Sequence, residues 1–176
     1  MKKLADLQGA PLEWIQPKAF NRSYELRGRK DLIGSLTWVK ALGSLAAAEC
    51  ADGAWTFKRA GFLHPRVTVR SKGKNVDIVG VDMGWGGKGT LRLEDGQAVP
   101  FASTNFWKSE WAFLGPDNRP MVTFRMKPRF LRRAAVVSVD DSAWRMPHLA
   151  LMVMLGWYLI VLQADDAAAA GVAAGG

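Results

Sequence analysis

The sequence is poor in the residue types that most often carry chemistry, with one cysteine, two histidines and two tyrosines among 176 residues. A single cysteine, Cys50, excludes an internal disulfide, and its lack of a partner favours a reducing compartment. The start of the chain becomes polar immediately after Leu4 and lacks the apolar region of a signal peptide. We therefore expect a cytoplasmic protein in which Cys50 is a small core residue.

Acidic residues are also in short supply. Lysine and arginine number 24 against 16 aspartates and glutamates, which gives a net charge of +8. This excess favours anionic partners such as nucleic acid, acidic protein or anionic lipid, although it also serves solubility. A hydrophobic fraction of 49% and a length of 176 residues suit one globular domain with a sizeable core.

Recognisable catalytic and cofactor motifs are missing. Residues Gly84–Gly89 match the dinucleotide pattern G-x-G-x-x-G, but Thr90–Glu94 has the character of a strand, whereas the motif must open a helix. We therefore predict a glycine-rich hairpin or bulge there. His64 and His148 lack the spaced partners of a zinc site, and no G-x-S-x-G elbow is present.

Carboxylates offer no catalytic pair either. The adjacent acids Glu94-Asp95, Asp140-Asp141 and Asp165-Asp166 fall at predicted turns or element ends, and neighbouring acids on a strand point to opposite faces. The sequence thus predicts a non-enzymatic protein with no metal site and no cofactor.

A hydrophobic period of two is present throughout residues 20–139 and indicates half-buried strands with one wet face. Turn signals such as Asp52-Gly53 and Asp95-Gly96 separate the strands. Strands that recur at roughly 8 to 12 residues indicate a sandwich or barrel. Because no helical segment interrupts them, the sheet is expected to be mostly antiparallel. The strand segments are Ser23–Arg27, Ile33–Trp38, Trp55–Lys58, Arg66–Arg70, Val76–Ile78, Thr90–Glu94, Met121–Met126 and Val136–Val139.

The segment Leu149–Leu162 is apolar on all sides and predicts a helix buried at the centre of the domain. Its 14 residues span about 21 Å, short of the roughly 30 Å of a bilayer core. Pro147 suits the first helical turn, and the two aspartates at 165–166 oppose the helix dipole, so we predict a helix over 147–163. A membrane tail anchor over 148–163 remains the alternative.

Three regions follow from these patterns. Residues 1–17 are predicted to be a loosely attached lead-in, pinned by Trp14 and Ile15. Residues 18–164 form the single domain. Residues 165–176, mostly alanine and glycine at their end, are predicted to be a disordered tail because they offer little apolar surface to bury.

Basic residues on the predicted strands are the candidate binding site. On alternating strands they share the outer face, where neighbouring hairpins could merge them into a patch that attracts anionic lipid, at about 1 kcal/mol per residue. A solvated exterior is the alternative, and the oligomeric state stays open. The first group is Lys58, Arg59, Arg66, Arg70, Lys72 and Lys74; the second is Arg119, Arg125, Lys127, Arg129, Arg132 and Arg133.

Several motifs, taken in order, resemble the tubby C-terminal-like superfamily, which includes the LURP-one-related proteins and phospholipid scramblases, and the nearest similarity is to small bacterial members. The residues that carry this resemblance are Tyr24-Glu25-Leu26, Leu36-Thr37-Trp38, Asp52–Arg59 with Gly61-Phe62, and Leu155–Leu159, within residues 20–162.

The resemblance implies a closed antiparallel barrel of about 12 strands that encloses the C-terminal hydrophobic helix. It also implies a module that docks on anionic phospholipid or an acidic partner, peripheral to the inner membrane surface. The alternative is a structural or protein-interaction domain with no ligand of its own. Nucleic acid is a weaker candidate, because aromatic residues on strands are expected to point inward and leave few stacking platforms.

Overall fold

The computed structural model describes residues 1–61, 64–128 and 131–174. In this part of the chain, twelve strands form a closed antiparallel barrel around one α-helix, which confirms the predicted fold class. Each strand pairs with its neighbours in sequence, and β1 pairs with β12 to close the barrel. The strands are β1 (Leu12–Ile15), β2 (Ser23–Gly28), β3 (Asp31–Trp38), β4 (Ala46–Cys50), β5 (Gly53–Ala60), β6 (Arg66–Ser71), β7 (Asp77–Met83), β8 (Gly89–Arg92), β9 (Ala98–Ser103), β10 (Glu110–Leu114), β11 (Pro120–Met126) and β12 (Ala134–Val139), and the helix is α1 (Leu149–Ala174).

The strands alternate buried and exposed positions as the sequence predicts. In β2, Tyr24 and Leu26 are fully buried, whereas Glu25 and Arg27 lie on the outer wall. Cys50 ends β4 as a buried residue, in agreement with its predicted core position. The inner faces of all the strands therefore form one continuous apolar lining, against which a helix can pack.

The bore is filled by α1, of which every residue from Leu149 to Leu162 is buried. The Trp157 ring stacks on Trp14 at 5.8 Å between centroids, and Tyr158 stacks on Trp38 at 5.3 Å. By length and composition, α1 is the one helix of the described chain that could cross a membrane, yet 78% of its apolar window is buried inside the protein. The prediction of a central buried helix is confirmed.

The prediction that residues 1–17 form a loosely attached lead-in is wrong. This segment contains β1, which is paired on both sides, with Trp14 fully buried. The strand is only four residues long, and its partner β12 lies about 120 residues further along the chain. A strand this short has too little local alternation to be recognised without its partner.

The predicted helix end is also wrong, since α1 begins at Leu149 and continues to Ala174 rather than spanning 147–163. The aspartates expected to end it, Asp165 and Asp166, lie within the helix and form ion pairs with arginines of the barrel. The alanines that follow have the highest intrinsic helix propensity. The disordered tail predicted for 165–176 is therefore helical as far as Ala174, and residues 175–176 lie outside the described chain.

The two ends of the barrel differ in how they are covered. In an antiparallel barrel alternate connections lie at the same end, so six loops surround the point where α1 leaves the barrel, which we call the exit end. At the other end, here the closed end, two short 3₁₀ helices, Leu4–Leu7 and Ala143–Arg145, cover the opening. Leu4, Leu7 and Trp144 bury their side chains there. The exit end is thus the more open face of the molecule.

Candidate functional site

The basic residues predicted as a patch are mostly engaged in ion pairs on the outer wall. Four of them pair with acids across neighbouring strands or turns: Arg66 with Asp82 at 3.6 Å, Arg70 with Asp77 at 2.5 Å, Lys72 with Glu49 at 2.9 Å, and Arg125 with Glu110 at 2.8 Å. Lys127 pairs with Glu13 at 3.0 Å and Arg119 with Asp117 at 3.1 Å. Hydrogen bonds from Thr104 and Arg125 hold the pKa of Glu110 below its usual value. Much of the charge on the wall is therefore already neutralised.

The two predicted groups also lie on different sides of the barrel. Strands β5 and β6 carry the first group and β11 begins the second, with four strands between them in one direction and five in the other. Lys58 faces outward without an ion pair in the described chain, and Lys74 lies in a turn at the closed end. Arg129 lies outside the described residues, as does Phe62, one of the residues on which the sequence resemblance was based. The structure does not join the two groups into one patch.

Positive charge is concentrated in the loops of the exit end, where no acidic residue of the loops offsets it. The six loops of this end, residues 16–22, 39–45, 61–65, 84–88, 104–109 and 127–133, contain no acidic residue. The basic residues of these loops whose positions are described are Lys18, Arg22, Lys40, Lys88, Lys108, Lys127, Arg132 and Arg133. The five connections between strands at the closed end, and the one that leads into α1, hold six acidic and six basic residues. The net positive charge of the loops is therefore confined to the exit end.

Exposed apolar side chains cluster at the same end. Of the eleven large apolar residues exposed in the described chain, eight lie at the exit end: Phe20, Val39, Leu42, Leu45, Phe106, Trp107, Leu131 and Val172. The four most exposed are Leu42 at 90%, Phe106 at 89%, Phe20 at 85% and Trp107 at 82%. Large apolar side chains exposed together at one end of a protein are a feature of interaction sites and membrane-binding faces.

Arg22 holds two of these loops and the helix together. Its guanidinium donates hydrogen bonds to the backbone oxygens of Ala41 at 2.9 Å and Gly43 at 3.1 Å. It also pairs with Asp165 of α1 at 2.5 Å and lies 4.7 Å from the ring centroid of Trp38. Four contacts on one side chain fix the loop that carries Leu42 against the loop that carries Phe20.

A second arginine joins the helix to the loop before β12. Arg133 pairs with Asp165 at 2.9 Å, and its guanidinium donates a longer hydrogen bond of 3.4 Å to the Tyr24 hydroxyl. Burial raises the pKa of Tyr24, against the lowering effect of the Arg133 charge. The Gln16 side chain accepts a hydrogen bond from the Arg133 backbone at 2.8 Å and so ties this loop to the loop after β1.

The turn that carries Phe106 and Trp107 is held by its own hydrogen bonds. Asn105 accepts from the Ser109 backbone at 3.0 Å, and its amide donates to the Ser109 hydroxyl at 2.8 Å. The buried Trp111 indole donates to the Lys108 carbonyl at 3.1 Å. The two exposed rings meet edge to face at 5.4 Å between centroids. The turn therefore presents a fixed aromatic pair to solvent.

Backbone geometry at two other apolar positions is unusual. Phe20 and Leu131 adopt left-handed conformations with φ of 62° and 59°. For residues with a bulky side chain this region costs on the order of 1–2 kcal/mol. In each case the side chain points outward and gains little packing in return, since both residues are more than half exposed. The loops thus hold these apolar side chains outward at a cost in stability.

Three grooves surround α1 at the exit end, with volumes of about 350, 490 and 420 Å³. The first has an apolar floor of Met83, Trp111 and Ile160, with Lys108 and Arg59 at its rim. Arg59 pairs with Asp166 at 2.5 Å, and this pair lies between the first two grooves. Each of the three grooves combines apolar side chains with arginine, and the ion-paired Asp165 or Asp166 also belongs to its lining.

The glycine-rich segment 84–89 belongs to this end and forms a connection, as predicted. It contains the 3₁₀ turn Trp85–Gly87 and leads into β8 rather than a helix. Gly87 has φ of 85°, and its carbonyl accepts a hydrogen bond from the Gln163 side chain at 2.7 Å. A side chain at Gly87 would occupy the position of Gln163. The glycine thus permits close contact between the loop and the helix.

Tyr158 and the two histidines occupy separate places in the barrel. Tyr158 donates a 2.6 Å hydrogen bond to the Ser44 carbonyl, and burial raises the pKa of its phenol. His64 is exposed in the loop between β5 and β6, far along the barrel from His148, which precedes α1 at the closed end. In the part of the chain that the structure describes, no three metal-ligating side chains come together. The arrangement offers positive charge and apolar surface to a partner.

The sequence reasoning identified only part of this site, since Lys127, Arg132 and Arg133 of the second predicted group lie in its loops. A signal for the rest of the site exists. Every second connection between strands lacks acids, and most of these place a large apolar residue beside lysine, arginine or histidine. The intervening connections, taken together, hold both charges. Recognition of that alternation requires the strand count and the closed antiparallel order, because only these place alternate loops together. Comparisons of the chain with known protein families, with curated proteins and with solved structures found no match.

Proposed function

We propose that this protein is a non-enzymatic, tubby-like binding module that docks on anionic phospholipid membranes through its exit end. The observation that carries the proposal is the set of six loops without an acidic residue, which hold eight described basic residues at one end of the barrel. The architecture of twelve strands around a C-terminal helix agrees with the superfamily that the sequence motifs resemble. In this proposal the protein is cytoplasmic and peripheral to the membrane.

Electrostatic attraction supplies the expected affinity. Each lysine or arginine near an anionic surface contributes about 1 kcal/mol, and salt weakens this contribution within a Debye length of roughly 8 Å. Lys40, Lys108 and Arg132 form no ion pair in the described chain and are free to approach lipid phosphates. Asp165 and Asp166 of α1 also lie at this end, but both are paired with arginines. The exit end therefore keeps an excess of unpaired positive charge.

The test is co-sedimentation with vesicles of phosphatidylcholine that contain phosphatidylserine, compared with phosphatidylcholine alone. We expect binding only to the anionic vesicles, and weaker binding as salt rises. The variant Lys40→Gln, Lys108→Gln, Arg132→Gln should bind about 100-fold more weakly, because three contributions of about 1 kcal/mol are lost.

A control variant carries the same change in charge elsewhere. Lys3→Gln, Lys30→Gln, Lys74→Gln removes three charges from the closed end and should bind as the unchanged protein does. Equal loss in both variants would mean that net charge alone drives binding. Absence of binding to anionic vesicles at low salt would contradict the proposed function, and binding to a soluble acidic polypeptide instead would identify a protein partner.

A further inference from the structure

We infer that the exit end inserts a set of apolar loop tips into the membrane interface, so that the barrel stands on the bilayer with α1 directed along the membrane normal. The tips are Phe20, Leu42, Phe106, Trp107 and Leu131. This inference rests on the proposed function and adds to it the depth and orientation of binding. Attraction of charges alone would bring the exit end to the headgroups without inserting it at a fixed depth.

The positions of the tips support insertion as a group. They belong to four loops that follow one another around the rim, those joining β9 to β10, β11 to β12, β1 to β2 and β3 to β4. Because α1 runs through the bore and leaves among these loops, a surface that touches all four crosses the barrel axis. A flat surface that contacts all the tips therefore also meets residues 167–174 of α1, which leave the barrel among these loops. This alanine-rich end of the helix enters the interface together with the tips.

The chemistry around each tip matches the membrane interface. Phe20 lies two residues from both Lys18 and Arg22, Trp107 is next to Lys108, and Leu131 is next to Arg132. Aromatic rings with neighbouring basic side chains suit the boundary between acyl chains and anionic headgroups. A soluble partner would also need a matching apolar surface with acids at its rim, whereas an anionic bilayer offers both properties everywhere.

The tips are also held in place before any contact is made. The aromatic pair of Phe106 and Trp107 stands on the turn fixed by Asn105, and Arg22 fixes the loops of Phe20 and Leu42 to each other and to α1. A rigid surface loses little conformational freedom on binding, so more of the gain from burying apolar groups appears as affinity.

The first test compares apolar truncations at the two ends. Phe106→Ala, Trp107→Ala should reduce partition into anionic vesicles at least about tenfold and remove the part of binding that resists high salt. Val76→Ala, Leu32→Ala, at exposed apolar positions of the closed end, serves as the matched control and should leave partition unchanged. Equal partition for both variants would overturn insertion.

The second test measures whether the loop tips enter the membrane, and it distinguishes insertion from electrostatic docking. In a Cys50→Ala background, an environment-sensitive fluorophore is attached at Phe106→Cys or at Val76→Cys. We expect a blue shift on phosphatidylserine vesicles for the label at 106 and none for the label at 76. Vesicle binding without a shift at 106, or with a shift at 76, overturns insertion but leaves electrostatic docking intact. Absence of vesicle binding in the unchanged protein overturns both.

Discussion

Gly156 lies midway along the buried part of α1, where a Cβ atom would come 2.5 Å from Cε2 of Phe124 and 3.0 Å from Cε2 of Phe113. Both rings are fully buried and have no free space into which to turn. The glycine therefore allows the helix to approach β10 and β11 more closely than any other residue would.

We predict that Gly156→Ala lowers the free energy of unfolding by about 1–2 kcal/mol. Overpacking in a filled core costs about 1–3 kcal/mol, more than the roughly 1 kcal/mol gained by alanine in a helix interior. Gly171→Ala is the matched control, since its Cβ meets nothing within 4 Å, and should stabilise the protein slightly. Chemical denaturation of both variants measures the difference, and a stabilising Gly156→Ala would contradict the close packing.

Tyr24 and Tyr158, the two tyrosines of the sequence, are both buried, and burial raises the pKa of each phenol. The folded state favours the neutral phenol, so this contribution to stability is complete below the unfolded pKa near 10. It is lost as pH rises further, because the unfolded chain releases these protons first. We predict that phenolate absorbance of the native protein stays absent near pH 10 and rises only as folded structure is lost.

The control for this titration is the protein unfolded in guanidinium, where both tyrosines should ionise near pH 10. A native protein that forms phenolate near that pH without loss of its circular dichroism would show that the hydroxyls are accessible to solvent.

At the scale of elements, α1 has two parts with different roles. Residues up to Leu162 fill the bore, whereas those after Asp166 project from the exit end and are exposed. Between them, Asp165 joins Arg22 and Arg133, and Asp166 joins Arg59. The aspartates thus fix the helix to the rim at the point where it leaves the barrel.

We predict that deletion of residues 167–176 changes the free energy of unfolding by less than about 0.5 kcal/mol, because it removes little buried surface. Circular dichroism should show the loss of helix alone. Asp165→Asn, Asp166→Asn in the full chain should cost more, about 1–3 kcal/mol, since partly buried arginines then lose their charged partners. Equal effects in denaturation experiments would mean that the ion pairs contribute little.

The elements that the sequence predicted well are those with long, local patterns. Alternation identifies strands such as β2, and the unbroken apolar run identifies the buried part of α1. The missed features depend on distant partners. β1 is recognisable only beside β12. The continuation of α1 past Asp165 depends on ion pairs with Arg22 and Arg133, and both arginines lie far from Asp165 in the sequence.

At the scale of the whole molecule, the predicted basic patch shows the same limit. Alternation correctly placed Arg70 and Arg125 on the outer wall, but it cannot reveal that Asp77 and Glu110 lie opposite them. The exit end emerges only when closure of the barrel brings alternate loops together. Net loop charge and exposed apolar side chains then differ between the two ends of the barrel rather than between strands. The closed end has balanced charges, whereas the exit end is positive and apolar.

The place of α1 at the end of the strand order has a consequence for biosynthesis. A ribosome adds about 5–20 residues per second, so roughly 7 to 28 seconds separate the synthesis of β2 from that of Leu162. Hairpins close within microseconds, yet their apolar faces have no helix to cover them during that interval. Nascent strands with exposed apolar faces are prone to aggregate. Completion of the barrel must therefore wait until α1 has been synthesised, and its yield in a cell depends on what shields the strands until the helix arrives.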